Sequence, residues 1–300
     1  MKRIIYILLL SLLTGSFTQA QSFKLPAYQK FTLKNGLTVY LMEQHEVPII
    51  SVSAILPAGA IYDGEKSGLA SLTATALKHG TKNYNKEKLD NELDFLGASI
   101  NSFASKESAG LSARMAAKDK DKVMLLLKEI MLEPVFDSTE FGKEKKRLLV
   151  SLEQQKESPR SVINSYFDKF LYGDHVYGNI QQGKISTVTP LTSKDVKQFY
   201  ADNYRPDGAA IAIAGDFNST EMKALVTSLF SGWKKGTKPQ ANPAAQPISK
   251  PSKQQVLLIN KDDAKETTFY IGAPGISRNN PDFVAVDVIN TLFGGRFTSM

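Results

Sequence analysis

The chain has 300 residues, 42% of them hydrophobic, and its 37 basic against 30 acidic side chains leave a net charge of +7 with 0 Cys. Such a composition excludes a disordered tail, a disulfide-stapled fold and a cysteine metal site. The positive charge does not argue for nucleic acid, because the lysines are scattered and the densest basic run, Lys143 to Arg147, alternates with Glu144 on a predicted helix as a solvated face.

Residues 1–20 read as an export signal. Lys2 and Arg3 precede an apolar run from Ile4 to Leu13, and Thr18-Gln19-Ala20 offers a small-residue cleavage site. The run is too short to span a bilayer, and the expected destination is the bacterial periplasm. Phe31 to Lys34 and Leu37 to Leu41 then flank Asn35-Gly36 as a hairpin, and Ile49 to Leu56 is a third strand that stops at Pro57-Ala58-Gly59.

Ser67 to Thr81 predicts a helix with Ser67 as its cap, Leu69, Leu72, Ala76 and Leu77 as its buried stripe and Gly80 as its stop. Lys86 to Leu96 follows as a helix. Ser99 to Ala104 and Ala109 to Met115 pair across Lys106-Glu107. Further helices are expected over 121–132, 138–157, 161–171 and 192–204, then an apolar strand over Ala209 to Ala214 and a last helix over Ser219 to Phe230 with its own Ser/Thr cap. This order predicts an α+β fold in which a mixed or antiparallel sheet is layered against helices.

From Lys235 to Gln254 the composition turns to Pro, Ala, Gln, Ser and Lys, as in a linker. Beyond it, Val256 to Ile259, Phe269 to Ile271, Ala273-Pro274-Gly275, an apolar helix and Gly294-Gly295 repeat the order of events at the front of the chain. The domain expectation is therefore a signal over 1–20, a first domain over 21–234, a linker over 235–254, and over 255–300 the start of a second, truncated copy.

Within the helix at Ser67 to Thr81, Ser71, Ala74 and Thr75 stand at the i, i+3 and i+4 positions where two His and a Glu could share a metal and a water. None is a useful ligand or base. The surrounding frame resembles the metal helix of the insulinase/pitrilysin family of zinc peptidases, the inverse zincins, whose motif is H-x-x-E-H. DHVYG at Asp174 to Gly178, NYRPDGAAIAIAGDF at Asn203 to Phe217 and NTLFGGRFTS near the end resemble further segments of that family in the same order. The resemblance puts the two His at Ser71 and Thr75, the catalytic Glu at Ala74 and the third ligand at Ser151. Glu153, two residues on, would face away on a helix.

No catalytic residue and no metal ligand is therefore expected in this chain. The three histidines lack ligand spacing: His79 reads as a helix-end or surface group, and His175 as a loop hydrogen-bonder. The resemblance also implies an edge strand to which extended peptides add, here Asn101, Ser102, Phe103 and Ala104; the same residues also read as a plain sheet strand. It implies further a non-enzyme that pairs with a zinc-bearing paralogue, zinc being expected only in that partner, and with peptides as substrates of the pair. Two alternatives stay open: a stand-alone periplasmic peptide-binding or scaffold protein, and an active peptidase whose site lies in the second copy.

Overall fold

The computed structural model describes residues 26–236, 242–249, 253–263 and 265–294. The expected signal segment, part of the linker and the Gly295 end of the repeat lie outside the described residues. Six strands form one sheet: β1 (Gln29–Thr32), β2 (Thr38–Glu43), β3 (Ile49–Leu56), β4 (Ser99–Ala104), β5 (Ala109–Ala116) and β6 (Ala210–Gly215). Their spatial order is β1-β2-β6-β3-β5-β4. Every neighbouring pair is antiparallel except β2 with β6.

The alternation along the strands decides which face is covered. Val39 and Leu41, Ile50, Val52, Ala54 and Leu56, Leu111, Ala113 and Met115, and Ile211 and Ile213 are all buried, while Ser51, Ile55, Ser112, Arg114 and Ala212 between them are exposed. With a period of two, this places one face against helices and leaves the other open. Against the covered face lie α1 (Leu69–Ala76), α2 (Lys86–Phe95), α3 (Lys120–Leu132), α4 (Ser138–Gln155), the short α6 (Ile185–Val188), α7 (Ser193–Asn203) and α8 (Ser219–Phe230), which share one apolar cluster with the sheet, while α5 (Pro159–Tyr172) packs outside that cluster against α4 and has no buried residue. On the open face Tyr28, Tyr40, Met42 and the small residues of β3 and β6 line a shallow apolar groove of about 460 Å³. None of the helices among the described residues is long and apolar enough to cross a membrane.

Local signals explain most element ends. Thr192 caps α7 and forms a reciprocal capping box with Asp195. The cap of α8 is Asn218, one residue before the expected Ser219, and its side chain accepts from the N–H groups of Thr220 and Glu221. Asn35 does more than turn the hairpin: its Nδ2 donates to the carbonyls of Phe230 (2.8 Å) and Trp233 (3.1 Å), so the β1–β2 turn caps the far end of α8. At the opposite end of β2, exposed His45 bridges Glu43 (3.0 Å) and Asp216 (2.6 Å), and these carboxylates raise its pKa.

Residues 253–294 behave differently. Val256 to Ile259 and Phe269 to Ile271 form no strand among the described residues, and α9 (Phe283–Phe293) has no buried residue. Strands were expected there. A lone extended segment has no neighbour to satisfy its backbone and no apolar face to cover, so it cannot hold a ladder. The segment touches the first unit where Tyr270 packs edge-on against Phe167 of α5 and Glu266 reaches Arg160.

Candidate functional site

α1 starts at Gly68, whose φ of 99° suits only glycine, and its first N–H groups are satisfied by a side chain from the preceding loop. Asp63 Oδ2 accepts from Gly68 N (2.8 Å) and Oδ1 from Ala70 N (2.7 Å). The expected cap, Ser67, is instead turned away, its Oγ donating to the carbonyl of Ile180 (2.6 Å). A carboxylate with two N–H donors beats a hydroxyl with one at a positive helix end. Gly80, at φ 121°, closes the segment as expected, and all four residues of the predicted apolar stripe are buried.

Burial of Asp63 costs its charged form. Desolvation pushes its pKa up to about 7, against the opposing pull of the N–H groups of Ala70, Gly68 and Leu69. Because the folded pKa lies above the unfolded value of 3.8, the stabilisation is full below 3.8 and is lost as pH rises through about 7. Between about pH 4 and 7 the unfolding free energy from urea titrations should fall with rising pH by up to about 1.4 kcal/mol per unit on this account, and Asp63→Asn should remove that slope. Asp195, which Lys66 holds down to about 2, acts with the opposite sign and only below about pH 4.

The four positions aligned with metal ligands and base are placed as follows. Ser71 is half-buried and its Oγ donates to the carbonyl of Gln181 (2.8 Å). Ala74 is buried at 2% exposure and has no donor atom to offer. Thr75 is exposed and its Oγ1 is spent on the carbonyl of Ser71 (3.1 Å). Ser151 lies on the exposed face of α4, with Glu153 pointing to Lys156 (2.9 Å). Zinc needs three or four N, O or S ligands, and two alcohols already donating to carbonyls, a methyl and a third alcohol do not fit it. Among the described residues no three His, Cys, Asp or Glu groups converge as a metal-holding set.

The charge around Ser151 is also the reverse of what a cation wants. Ser151 lines an open groove of about 580 Å³ together with Lys86, Lys143, Lys146, Arg147 and one carboxylate, Glu140. The run expected to be a solvated face is solvated, but it forms one wall of this groove. Lys143 pairs with Glu140 (2.6 Å) and Arg147 with Glu144 (2.7 Å). His79, expected at the surface, is buried at 4% exposure with its Nδ1 lacking a partner, and burial lowers its pKa so that it does not serve as a cation at the helix end. The charges of Glu140 and Glu144 on α4 oppose that lowering, a neighbourhood that periodicity along residues 67–81 does not report. His175 is the loop hydrogen-bonder that was expected: Nδ1 accepts from Tyr177 N (3.2 Å), and Nε2 lies 3.1 Å from the carbonyl of Gln246.

The remaining predicted residues, Asn101, Ser102, Phe103 and Ala104, form the outer strand of the sheet, with β5 on one side and, among the described residues, no strand on the other. α1 packs against this strand, so the ligand-derived positions and the sheet edge lie side by side. A segment that the sequence reading passed over, Asn179 to Gly183, straps the two. A Cβ on Gly183 would sit 2.4 Å from the Ser67 carbonyl, and one on Gly68 would sit 2.8 Å from the Gln182 carbonyl, so paired glycines permit the approach. Lys106 Nζ, from the β4–β5 turn, donates to the carbonyls of Tyr177 (2.6 Å) and Asn179 (2.9 Å) and holds the strap from the other side.

Residues 38–181 match the family model described as insulinase, peptidase family M16, and residues 190–300 match the model described as the peptidase M16 inactive domain. Ser71, Ala74, Thr75 and Ser151, the positions that the resemblance aligns with ligands and base, fall in the first match. The second begins before β6 and α8, which complete the first sheet, so the boundary between the matches is not a boundary in the fold. An uncharacterized zinc protease, YmxG, of Bacillus subtilis is 21% identical over 272 residues, covering 90% of this chain and 65% of its own. Bovine mitochondrial cytochrome b-c1 complex subunit 1 is 26% identical over 284 residues, covering 94% and 58%. The crystal structure of a peptidase M16 inactive domain from Pseudomonas fluorescens superposes with a TM-score of 0.75 at 26% identity, covering 90% of this chain and 65% of that one. The chain thus spans about three-fifths of the length of the proteins it matches.

Proposed function

The chain belongs to the insulinase family, peptidase family M16, as a member without the H-x-x-E-H motif, and from that membership we propose that it is the non-catalytic subunit of an exported peptidase. Its partner is a zinc-bearing paralogue, and the two halves enclose peptide substrates. Zinc and the water-activating base belong to the partner alone, while this chain contributes shape and a strand edge. Val256, Leu258 and Ile271 are exposed apolar side chains, which suits cover by another protein surface.

One observation carries the reading. Residues 38–181 match the family model, while the four positions that the resemblance aligns with its ligands and base hold two alcohols donating to carbonyls, a buried alanine and an exposed serine. A scaffold kept without its reagents suits a binding and assembly role. That a relative is named as a subunit of a larger complex supports pairing.

The test mixes purified full-length protein with its zinc-bearing paralogue and follows cleavage of a quenched fluorescent peptide. Cleavage should rise at least about 100-fold over either protein alone, the scale on which positioning and general base catalysis act. Equal cleavage by the paralogue alone, or zinc-dependent cleavage by this protein alone, would sink the proposal. Cell fractionation that finds the protein in the cytoplasm would refute its export.

A further inference from the structure

β4 is bonded on one side to β5 through the register Ser99↔Arg114, Asn101↔Ser112 and Phe103↔Gly110. In an antiparallel ladder both backbone groups of a residue face the same neighbour, and alternate residues face alternate sides. Ser105 N donates inward to Ser108 O (2.6 Å), which puts Ser105, Phe103, Asn101 and Ser99 on the β5 side. Ile100, Ser102 and Ala104 therefore turn their N–H and C=O groups to the open edge. The third of these rungs is occupied: Gln181 Nε2 donates to the carbonyl of Ala104 (2.5 Å).

Gln181 is held in place from behind. Its own carbonyl accepts from Ser71 Oγ, the position of a lost metal ligand, and the neighbouring carbonyl of Ile180 accepts from Ser67 Oγ. The close approach of Gly68 and Gly183 and the two bonds from Lys106 leave the strap little room to lift. The side-chain amide sits where the backbone N–H of an added strand would arrive.

We infer that Gln181 is a register stop for peptides that add to β4. The inference rests on the edge-binding part of the proposed function and names its substrate preference. An extended peptide finds rungs at Ile100 and Ser102 and must end, or turn away, before Ala104. The edge accepts short chains and chain ends, whereas the middle of a long strand has to displace the amide. Ser71 has exchanged a role in chemistry for one in positioning this stop.

The experiment uses the full chain and two fluorescein-labelled peptides of one alternating Lys-Thr-Val-Thr pattern, a hexamer and a dodecamer, read by fluorescence anisotropy. Wild-type protein should bind the hexamer more tightly than the dodecamer. Gln181→Ala should tighten the dodecamer by about tenfold, the worth of one hydrogen bond at most, and leave the hexamer within about twofold. Gln181→Asn, which keeps the amide but is too short to reach Ala104, should act like the alanine variant and guards against a folding artefact. Equal binding of the two lengths by wild type, or a dodecamer affinity unmoved in both variants, would overturn the stop while the edge reading stands. Ser102→Pro places a ring on the open edge and should abolish binding of both peptides; retained binding in that variant, or no binding by wild type, would overturn the edge reading and the stop with it.

Discussion

Purified alone, the protein is expected to take up less than about 0.1 equivalent of zinc, and the variant Ser71→His, Ala74→Glu, Thr75→His, Ser151→Glu is expected to approach about one equivalent, measured by atomic absorption after dialysis. The contrast follows from donor chemistry: no alcohol here replaces an imidazole or carboxylate, and loss of three such ligands removes the site outright. The restored site should still be weak. Lys143, Lys146 and Arg147 wall the groove at Ser151; Glu140 and Glu144 offset Lys143 and Arg147 in part, and one unopposed cation at about 8 Å in a water-like dielectric repels a divalent ion by roughly 1 kcal/mol before salt screening. Adding Lys143→Gln, Lys146→Gln and Arg147→Gln to the restored variant should therefore tighten zinc by about tenfold, and the gain should shrink in high salt. Stoichiometric zinc in the unaltered protein would contradict the assignment of Ser71, Thr75 and Ser151 as vacated ligand positions.

The second large effect lies far from that groove. Gly215→Ala should destabilise the fold by about 3–5 kcal/mol and lower the melting temperature by about 10 °C, seen by calorimetry. Gly215 ends β6 at φ 137°, and an added Cβ would lie 2.0 Å from the Ile49 carbonyl and 2.8 Å from Ile50 Cα. Both obstacles are backbone of a paired strand, and the opposite side is closed by β2, where Gln44 N donates to the Gly215 carbonyl (2.8 Å). Neither neighbour can give without opening a ladder. Gly142→Ala is the counter-case: its site in α4 has open space around the new methyl, and the substitution should stabilise by about 0.5–1 kcal/mol. Equal melting temperatures for the two variants would discredit this account of the β6 end.

The sequence was legible where one residue's neighbours along the chain decide its fate. β3 was read to the residue, because Ile49 to Leu56 alternates against a single buried face. The same reasoning found β6 as an apolar run but not its place between β2 and β3, since a run of Ala and Ile does not name its partners. Asn35-Gly36 announced a turn, yet nothing local announces that the Asn35 amide meets carbonyls about 200 residues away in sequence. Asp63 was missed as the cap of α1 because the nearest hydroxyl, Ser67, satisfied the usual pattern while the carboxylate reached back across a loop. His79 and the strap at Gln181 were missed for the same reason: their roles are set by α4 and β4, packed from elsewhere. The expectation that metal chemistry is lost, by contrast, needs only residue identities in a recognisable frame.

The position of β6 carries one more consequence, for how the chain is made. β2 and β3 are consecutive in sequence, but they do not pair; the strand that joins them, Ala210–Gly215, leaves the ribosome after every other strand and most helices. A nascent chain that ends before it has two halves of a sheet, β1–β2 and β3–β5–β4, each with an unsatisfied edge. Closure is thus a single late event over long loops, the kind of non-local pairing that slows folding, and until it happens both edges stay open to strands of other chains.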